Sequence, residues 1–128
     1  MKINPAVCGV FLCLYKVKQL RYPVLMAVTP EKKVKNKVVE VLKKYAAYYF
    51  FPATYGYGRS GVPDIIVCYR GRFIGIECKA GKNKATPLQL RELAAIRTAE
   101  GTTFIINEDN VGVLEEYLKS NEHTHHRL

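Results

Sequence analysis

The first clear pattern of apolar and polar positions lies between residues 29 and 45. Thr29, Pro30 and Glu31 supply a capping hydroxyl, a proline for the first helical position and an acid for the first turn. Apolar residues then recur with helical spacing at Val34, Val38, Val41, Leu42 and Tyr45. The pattern predicts an amphipathic helix that begins at Pro30 and packs one face against a core.

Three short apolar segments follow this helix and predict strands. The first is AAYYFF at 46–51, and a glycine-rich loop, TYGYGRSG, follows it at 54–61. The segment 61–80 reads GVPDIIVCYRGRFIGIECKA and contains two apolar runs on either side of Arg70 and Gly71. A two-residue connection that contains glycine, between two strand-like runs, predicts a β-hairpin.

The remainder of the chain predicts a helix, a strand and a closing helix. After the basic loop AGKNK at 80–84, Thr86 and Pro87 start the second helix. Its inward face is predicted to carry Leu90, Leu93, Ala94 and Ile96. Residues 102–106 read as a strand and 111–119 as a helix. The order of helix, three strands, helix, strand and helix predicts an α/β fold with a small mixed central sheet flanked by helices.

Composition narrows the choice of partner. The 128 residues are most simply one domain, with 20 Lys and Arg against 11 Asp and Glu, a formal net charge of +9. This excess favours a polyanionic partner, most often nucleic acid, although a basic surface can also serve solubility alone. The four cysteines form no Cys-x-x-Cys pair and stand at no zinc spacing from a histidine, so we expect reduced core thiols and a cytosolic protein.

The first 25 residues differ from the rest of the chain. Residues 6–15, AVCGVFLCLY, are apolar, but ten residues are too few to cross a bilayer, which needs about 20. Residues 1–25 hold four cations, no anion and little periodicity, and a second methionine, Met26, directly precedes the first helix. We expect an N-terminal extension at 1–25, a functional domain at 26–120 and a flexible, histidine-containing tail at 121–128.

The predicted hairpin brings two acids together. With Arg70 and Gly71 as its loop, Asp64 falls opposite Glu77, and Lys79 shares the face of Glu77. Opposed like charges destabilise a sheet, and burial raises the cost further. A divalent cation between the acids would remove this conflict, since Mg²⁺ and Mn²⁺ prefer oxygen ligands. The alternative is an ordinary turn at Asp64 and a solvated ion pair between Glu77 and Lys79.

These residues resemble a known family. The series Gly61-x-Pro63-Asp64, Ile76-Glu77-Cys78-Lys79 and Gln89 is similar to the PD-(D/E)xK nuclease superfamily, above all to its virus-type replication-repair nuclease (VRR-NUC) domain in small stand-alone phage versions. The resemblance covers about residues 31–110. It implies a restriction-endonuclease-like fold and metal-dependent hydrolysis of DNA phosphodiester bonds. Asp64, Glu77 and the Cys78 carbonyl would hold Mg²⁺ or Mn²⁺, and Lys79 and Gln89 would complete the catalytic set.

The family also implies a metal-site glutamate on the first helix. At about 100° per residue, Glu31 falls within the core-facing stripe and Glu40 falls opposite it, so geometry favours Glu31. Compensation of the helix dipole is the alternative role for Glu31. Gln89 likewise has two interpretations, since Thr86-x-x-Gln89 is also a capping-box pattern. Cys78 points away from Glu77 and is expected to lie in the core.

The basic and aromatic residues around the site are candidates for binding DNA. Those predicted to follow phosphates or to stack on bases are Arg59, Arg72, Lys82, Lys84, Tyr55 and Tyr57. Packing of the tyrosines and Arg59 against the protein remains an alternative. Two other functions also remain open, a non-catalytic DNA- or RNA-binding module and a metal-dependent ribonuclease.

The resemblance carries further expectations about the partner and the assembly. Stand-alone members of the family are similar to Holliday-junction resolvases. This implies a homodimer that prefers branched DNA, acting in the cytoplasm of a bacterial or phage-infected cell without a membrane partner. A symmetric dimer would supply the two sites that paired cuts require.

Overall fold

The structure, a computed structural model, describes residues 28–123 of the chain. The predictions for the extension at 1–25, for Met26 and for residues 124–128 of the tail lie outside the described residues. Within them, the elements are α1 (Pro30–Lys44), β1 (Tyr48–Phe50), β2 (Ile65–Tyr69), β3 (Arg72–Cys78), α2 (Pro87–Thr98), β4 (Thr102–Ile106) and α3 (Val111–Ser120). The predicted α/β class and order of elements are confirmed, although β1 is shorter than the predicted strand at 46–51.

The four described strands form one mixed sheet in the order β1-β2-β3-β4. β1 and β2, and β2 and β3, are antiparallel, whereas β3 and β4 are parallel. The hairpin register runs from Tyr69 opposite Arg72 to Ile65 opposite Ile76, as predicted. Its loop residues, Arg70 and Gly71, both have positive φ angles, 51° and 76°, as a two-residue turn of this kind requires.

The main hydrophobic core lies on one face of the sheet, beneath α1 and α3. The fully buried side chains contributed by these two helices are Val34, Val38, Leu42, Leu114 and Leu118. They pack with alternate residues of β2 and β3, from Ile65 to Cys78. Thr29 caps α1 through its side chain, with Pro30 in the first turn, as the sequence pattern predicted.

Helix α2 packs on the opposite face of the sheet, where a Cβ on Gly75 would lie only 2.8 Å from Cδ1 of Ile96. The predicted inward face of this helix is partly wrong, because Leu90 is 46% exposed and Ala94 is also exposed. The inward stripe is formed by Gln89, Glu92, Leu93 and Ile96. Two of these four are polar, which is why apolar periodicity misplaced the face.

Asp64 and Glu77 lie at one end of the two central strands, where Asp64 precedes β2 and Glu77 is close to the end of β3. No helix among residues 28–123 is both long and apolar enough to cross a membrane.

Candidate active site

Asp64 lies at a bend directly before β2, one position beyond the hairpin ladder. Its Oδ2 accepts a hydrogen bond of 2.9 Å from the backbone N–H of Cys78, at the end of the neighbouring strand. Its Oδ1 accepts a hydrogen bond of 2.8 Å from the ammonium of Lys35, on α1. The aspartate is therefore fixed between the end of the hairpin and the first helix.

Glu77 lies at the same end of the hairpin, on the face that α2 covers, and is only 1% exposed. Its Oε1 accepts hydrogen bonds from Lys79 Nζ at 2.9 Å and from Gln89 Nε2 at 2.5 Å. Its Oε2 is buried and has no hydrogen-bond partner within the described residues. A buried carboxylate oxygen without a partner is costly, so Glu77 is poorly explained as a structural residue.

The environment shifts the pKa values of this pair. Burial raises the pKa of Glu77 above its ordinary value, and the charge of Asp64 adds to the shift. The hydrogen bond and charge of Lys79, together with the nearby backbone N–H of Asp64, oppose it. For Lys79, burial alone would lower the pKa. The hydrogen bond to Glu77 and the negative charges of Glu77, Glu31 and Asp64 outweigh burial and raise it. Lys79 is therefore protonated at neutral pH in this arrangement.

Gln89 combines the two interpretations that its sequence pattern left open. Its side-chain Oε1 accepts a hydrogen bond of 2.8 Å from the backbone N–H of Thr86. Its backbone N–H donates to the Thr86 hydroxyl, which completes a capping box. Its Nε2 donates to Glu77. One side-chain amide thus both caps α2 and reaches the buried carboxylate.

Glu31 lies in the first turn of α1 and borders a cleft of about 310 Å³. The cleft is lined by Thr29, Glu31, Lys32, Lys35, Asp64 and Cys78. Glu40, the other acid considered on this helix, is exposed and does not line it. Of the two acids, the structure brings Glu31 towards Asp64.

In the described part of the chain, Glu77 has one free oxygen for a hard divalent cation, whereas both oxygens of Asp64 already accept hydrogen bonds. The free Oε2 of Glu77 is a donor of the type that Mg²⁺ and Mn²⁺ prefer. Within residues 28–123, no group of three or more His, Cys, Asp or Glu side chains is arranged to hold a metal ion. Such a cation would therefore complete its coordination with water, backbone carbonyl or phosphate oxygens, as Mg²⁺ commonly does.

Four of the predicted DNA-binding residues are exposed on two loops. Lys82 and Lys84 are exposed on the loop between β3 and α2, and Glu108 accepts the N–H of Gly81 in that loop at 2.9 and 3.1 Å. Tyr55 and Tyr57 are 89% and 88% exposed on the glycine-rich loop, so the alternative of packing against the described protein does not apply to them.

Of the two predicted arginines, Arg59 contacts α2 and Arg72 lies far from Glu77. Arg59 binds Glu92 of α2 at 3.2 Å, so the alternative of a contact with the protein applies to its side chain. Arg72 lies at the turn end of β3, roughly 16 Å along the strand from Glu77. A role for Arg72 near the acids is therefore not supported by its position.

Cys78 is 2% exposed and belongs to the main core, on the other face of the sheet from Glu77. Burial raises the pKa of its thiol to about 12, so the thiol is not a nucleophile at neutral pH. Its backbone N–H serves the site by binding Asp64.

Sequence reasoning missed two charged residues that support the site. Lys35 binds Asp64, and the available signal was its position one helical turn after Glu31, at the edge of the inward stripe. Glu92 is 7% exposed and fixes the glycine-rich loop to α2 through Arg59. The sequence signal for Glu92 was its position three residues after Gln89, which places both on one face of a helix.

Proteins similar to this chain include a solved structure and a phage protein. A solved structure described as "VRR_NUC domain" superposes with a TM-score of 0.54 and 24% identity, covering 76% of this chain and 99% of that one. The chain is 44% identical over 63 residues to "Putative nuclease p44" of Acyrthosiphon pisum secondary endosymbiont phage 1, a match over 48% of this chain and 64% of that protein. The chain thus spans less than two thirds of this relative. No protein-family model matches the chain. At the level of the fold, the VRR-NUC resemblance is confirmed.

Proposed function

We propose that this chain, which has the fold of a VRR_NUC domain, is a metal-dependent endonuclease that hydrolyses DNA phosphodiester bonds. The observation that carries the proposal is Glu77, a buried carboxylate with one unpartnered oxygen, beside Asp64 and Lys79. A purely structural role gives no reason to bury that oxygen. A catalytic centre commonly retains such costly groups. The nuclease name of the phage relative supports the same interpretation.

Asp64 and Glu77 are the proposed ligands of Mg²⁺ or Mn²⁺, with the Cys78 carbonyl as a further oxygen and Glu31 acting directly or through water. When bound, such a cation polarises a phosphoryl oxygen and lowers the pKa of an attacking water. The bond from the Cys78 N–H holds Asp64 in place before any ligand arrives. Preorganisation of this kind removes a cost that binding would otherwise incur.

Lys79 is proposed to act on the reacting groups, and Gln89 is proposed to position Glu77. Lys79 holds a positive charge at the edge of the buried carboxylate and can donate a hydrogen bond to the charge that develops at phosphorus. Its protonated state argues against a role as general base. Gln89 orients Glu77, and the capping box in turn fixes Gln89.

DNA is proposed to approach across the loops next to this centre. Lys82 and Lys84 are exposed directly after Lys79, where they can bind phosphates without reading sequence. Tyr55 and Tyr57 offer exposed rings on which unpaired bases could stack. The formal net charge of +9 favours association with any nucleic acid, so DNA and RNA must be distinguished by experiment.

Cleavage is expected to depend on a divalent cation. Labelled DNA should be cut in Mg²⁺ or Mn²⁺, should remain intact in excess EDTA and should be cut again when Mn²⁺ is restored. A matched RNA duplex in the same assay separates a deoxyribonuclease from a ribonuclease. Nucleic-acid binding without cleavage in any of these metals would support a non-catalytic binding module and contradict the proposal.

We propose further that the protein is a homodimer that cuts branched DNA, such as four-way junctions, in the cytoplasm of a bacterial or phage-infected cell. Two symmetry-related sites would give paired cuts in a two-fold symmetric junction. Light scattering of the full chain should give twice the monomer mass, and mapping on a mobile junction should show symmetric incisions. A monomer that nicks linear duplex as readily as junctions would refute this part and leave the metal site standing.

A further inference from the structure

Lys35 occupies one oxygen of the aspartate that is the proposed metal ligand. Its ammonium lies 2.8 Å from Oδ1 of Asp64, at the wall of the cleft, and its side chain is 31% exposed. The other oxygen of Asp64 is held by the backbone N–H of Cys78, which belongs to the sheet end and cannot leave without local unfolding. The ammonium is therefore the partner that an incoming cation can displace.

A displaced Lys35 has a second partner within reach. Its ammonium already lies 5.6 Å from the ring centroid of Phe51, a residue that is 50% exposed. An ammonium at this distance from an aromatic face is attracted to it. The flexible four-carbon stem lets the charge shift towards Phe51 or solvent while the helix stays in place. The exchange requires no rearrangement of the fold.

Electrostatics favours this exchange. A divalent cation on Oδ1 of Asp64 would lie within a few ångströms of the ammonium, and like charges repel strongly in a partly buried site. The cation and the ammonium therefore compete for this oxygen. Until a cation binds, Lys35 neutralises the charge of the partly buried Asp64.

We propose that Lys35 controls metal loading by occupying Asp64 until a divalent cation displaces it. Lys35 is thus a positioning residue, because it acts on the reaction through Asp64, and it sets the cation concentration at which the site fills. The inference rests on the metal site of the proposed function.

Titration of the full-length chain with Mn²⁺, followed by the paramagnetic resonance signal of free Mn²⁺, tests this role without any cleavage assay. Lys35→Met should tighten binding at the site by about tenfold, because the competing charge is gone. Lys35→Gln should tighten it similarly, whereas Lys35→Arg should not. Lys33→Met is the matched control, since Lys33 lies on the opposite side of the same helix and is exposed, and its binding curve should match wild type.

The Glu77→Gln variant separates failure of this inference from failure of the metal site. Mn²⁺ binding that is equal in wild type and Glu77→Gln would overturn both, since it would come from elsewhere, such as the histidine-containing tail. If binding depends on Glu77 but Lys35→Met and Lys35→Gln, with unchanged circular dichroism, bind no more tightly than wild type, then Lys35 does not control loading. The metal site would survive that result.

Discussion

Replacing Glu77 with glutamine is expected to lower the rate of DNA cleavage by about a hundredfold or more and to leave DNA affinity within about twofold of wild type. Loss of even an outer partner of a metal ligand commonly costs 10- to 100-fold, so removal of a ligand itself should cost at least as much. Affinity should persist because it rests on contacts with phosphates that this buried side chain cannot make. Single-turnover cleavage and fluorescence anisotropy measure the two quantities on the same substrate.

Glu40→Gln is the matched control for this substitution. It makes the same change of acid to amide at an exposed position of α1 outside the cleft, and its cleavage rate should equal that of wild type.

The pH dependence of stability provides a second test of the Glu77→Gln variant. Because folding raises the pKa of Glu77 above 4.5, ionisation of this residue destabilises the protein as pH rises through the raised value. Between pH 4.5 and 7, the free energy of unfolding of Glu77→Gln should therefore fall less than that of wild type. Cleavage by Glu77→Gln at the wild-type rate would refute the assignment of the site.

Gly61→Ala is expected to lower the free energy of unfolding by about 2–4 kcal/mol, the largest effect on stability that we predict for the loop before Asp64. A Cβ at Gly61 would lie 2.6 Å from the carbonyl carbon of Leu88 and 2.9 Å from the N of Gln89. Both atoms belong to the backbone of α2, which cannot yield as a side chain can. The residue also has a φ of +81°, which strains any residue other than glycine.

Gly58→Ala provides the control for backbone strain alone. Gly58 has a φ of +101° in the same loop, but a Cβ there would meet no atom within 4 Å. Its cost should be about 1 kcal/mol, and urea denaturation of both variants measures the difference. Since displacement of Gln89 would disturb Glu77, Gly61→Ala should also reduce cleavage, whereas Gly58→Ala should not. Equal stability of the two variants would show that Gly61 does not pack against α2 as described.

The parts of the fold that local chemistry determines could be predicted from the sequence. Thr29 and Pro30 mark the start of α1 because capping needs only neighbouring residues. The hairpin register follows from the two-residue turn at Arg70 and Gly71, and this register alone places Asp64 and Glu77 at the same end of the hairpin. Residue alternation likewise separates Cys78 from Glu77.

The parts that depend on contacts between distant elements could not be predicted. Lys35 and Asp64 are 29 residues apart and meet only because α1 crosses the end of the sheet. Gln89 and Glu92 lie on the inward face of α2, where apolar periodicity predicted Leu90 and Ala94. This face is polar because it serves the buried carboxylate and the glycine-rich loop, so hydrophobicity alone selects the wrong side of the helix.

Crystals of the full chain soaked in Mn²⁺, with anomalous scattering recorded to locate the ion, would show whether Asp64 and Glu77 form the metal site. We expect an anomalous peak in coordination contact with carboxylate oxygens of both Asp64 and Glu77, and a Lys35 ammonium that no longer binds Asp64. At a Mn²⁺ concentration that saturates cleavage, a peak elsewhere, or no peak between these two carboxylates, would show that they are not the metal ligands.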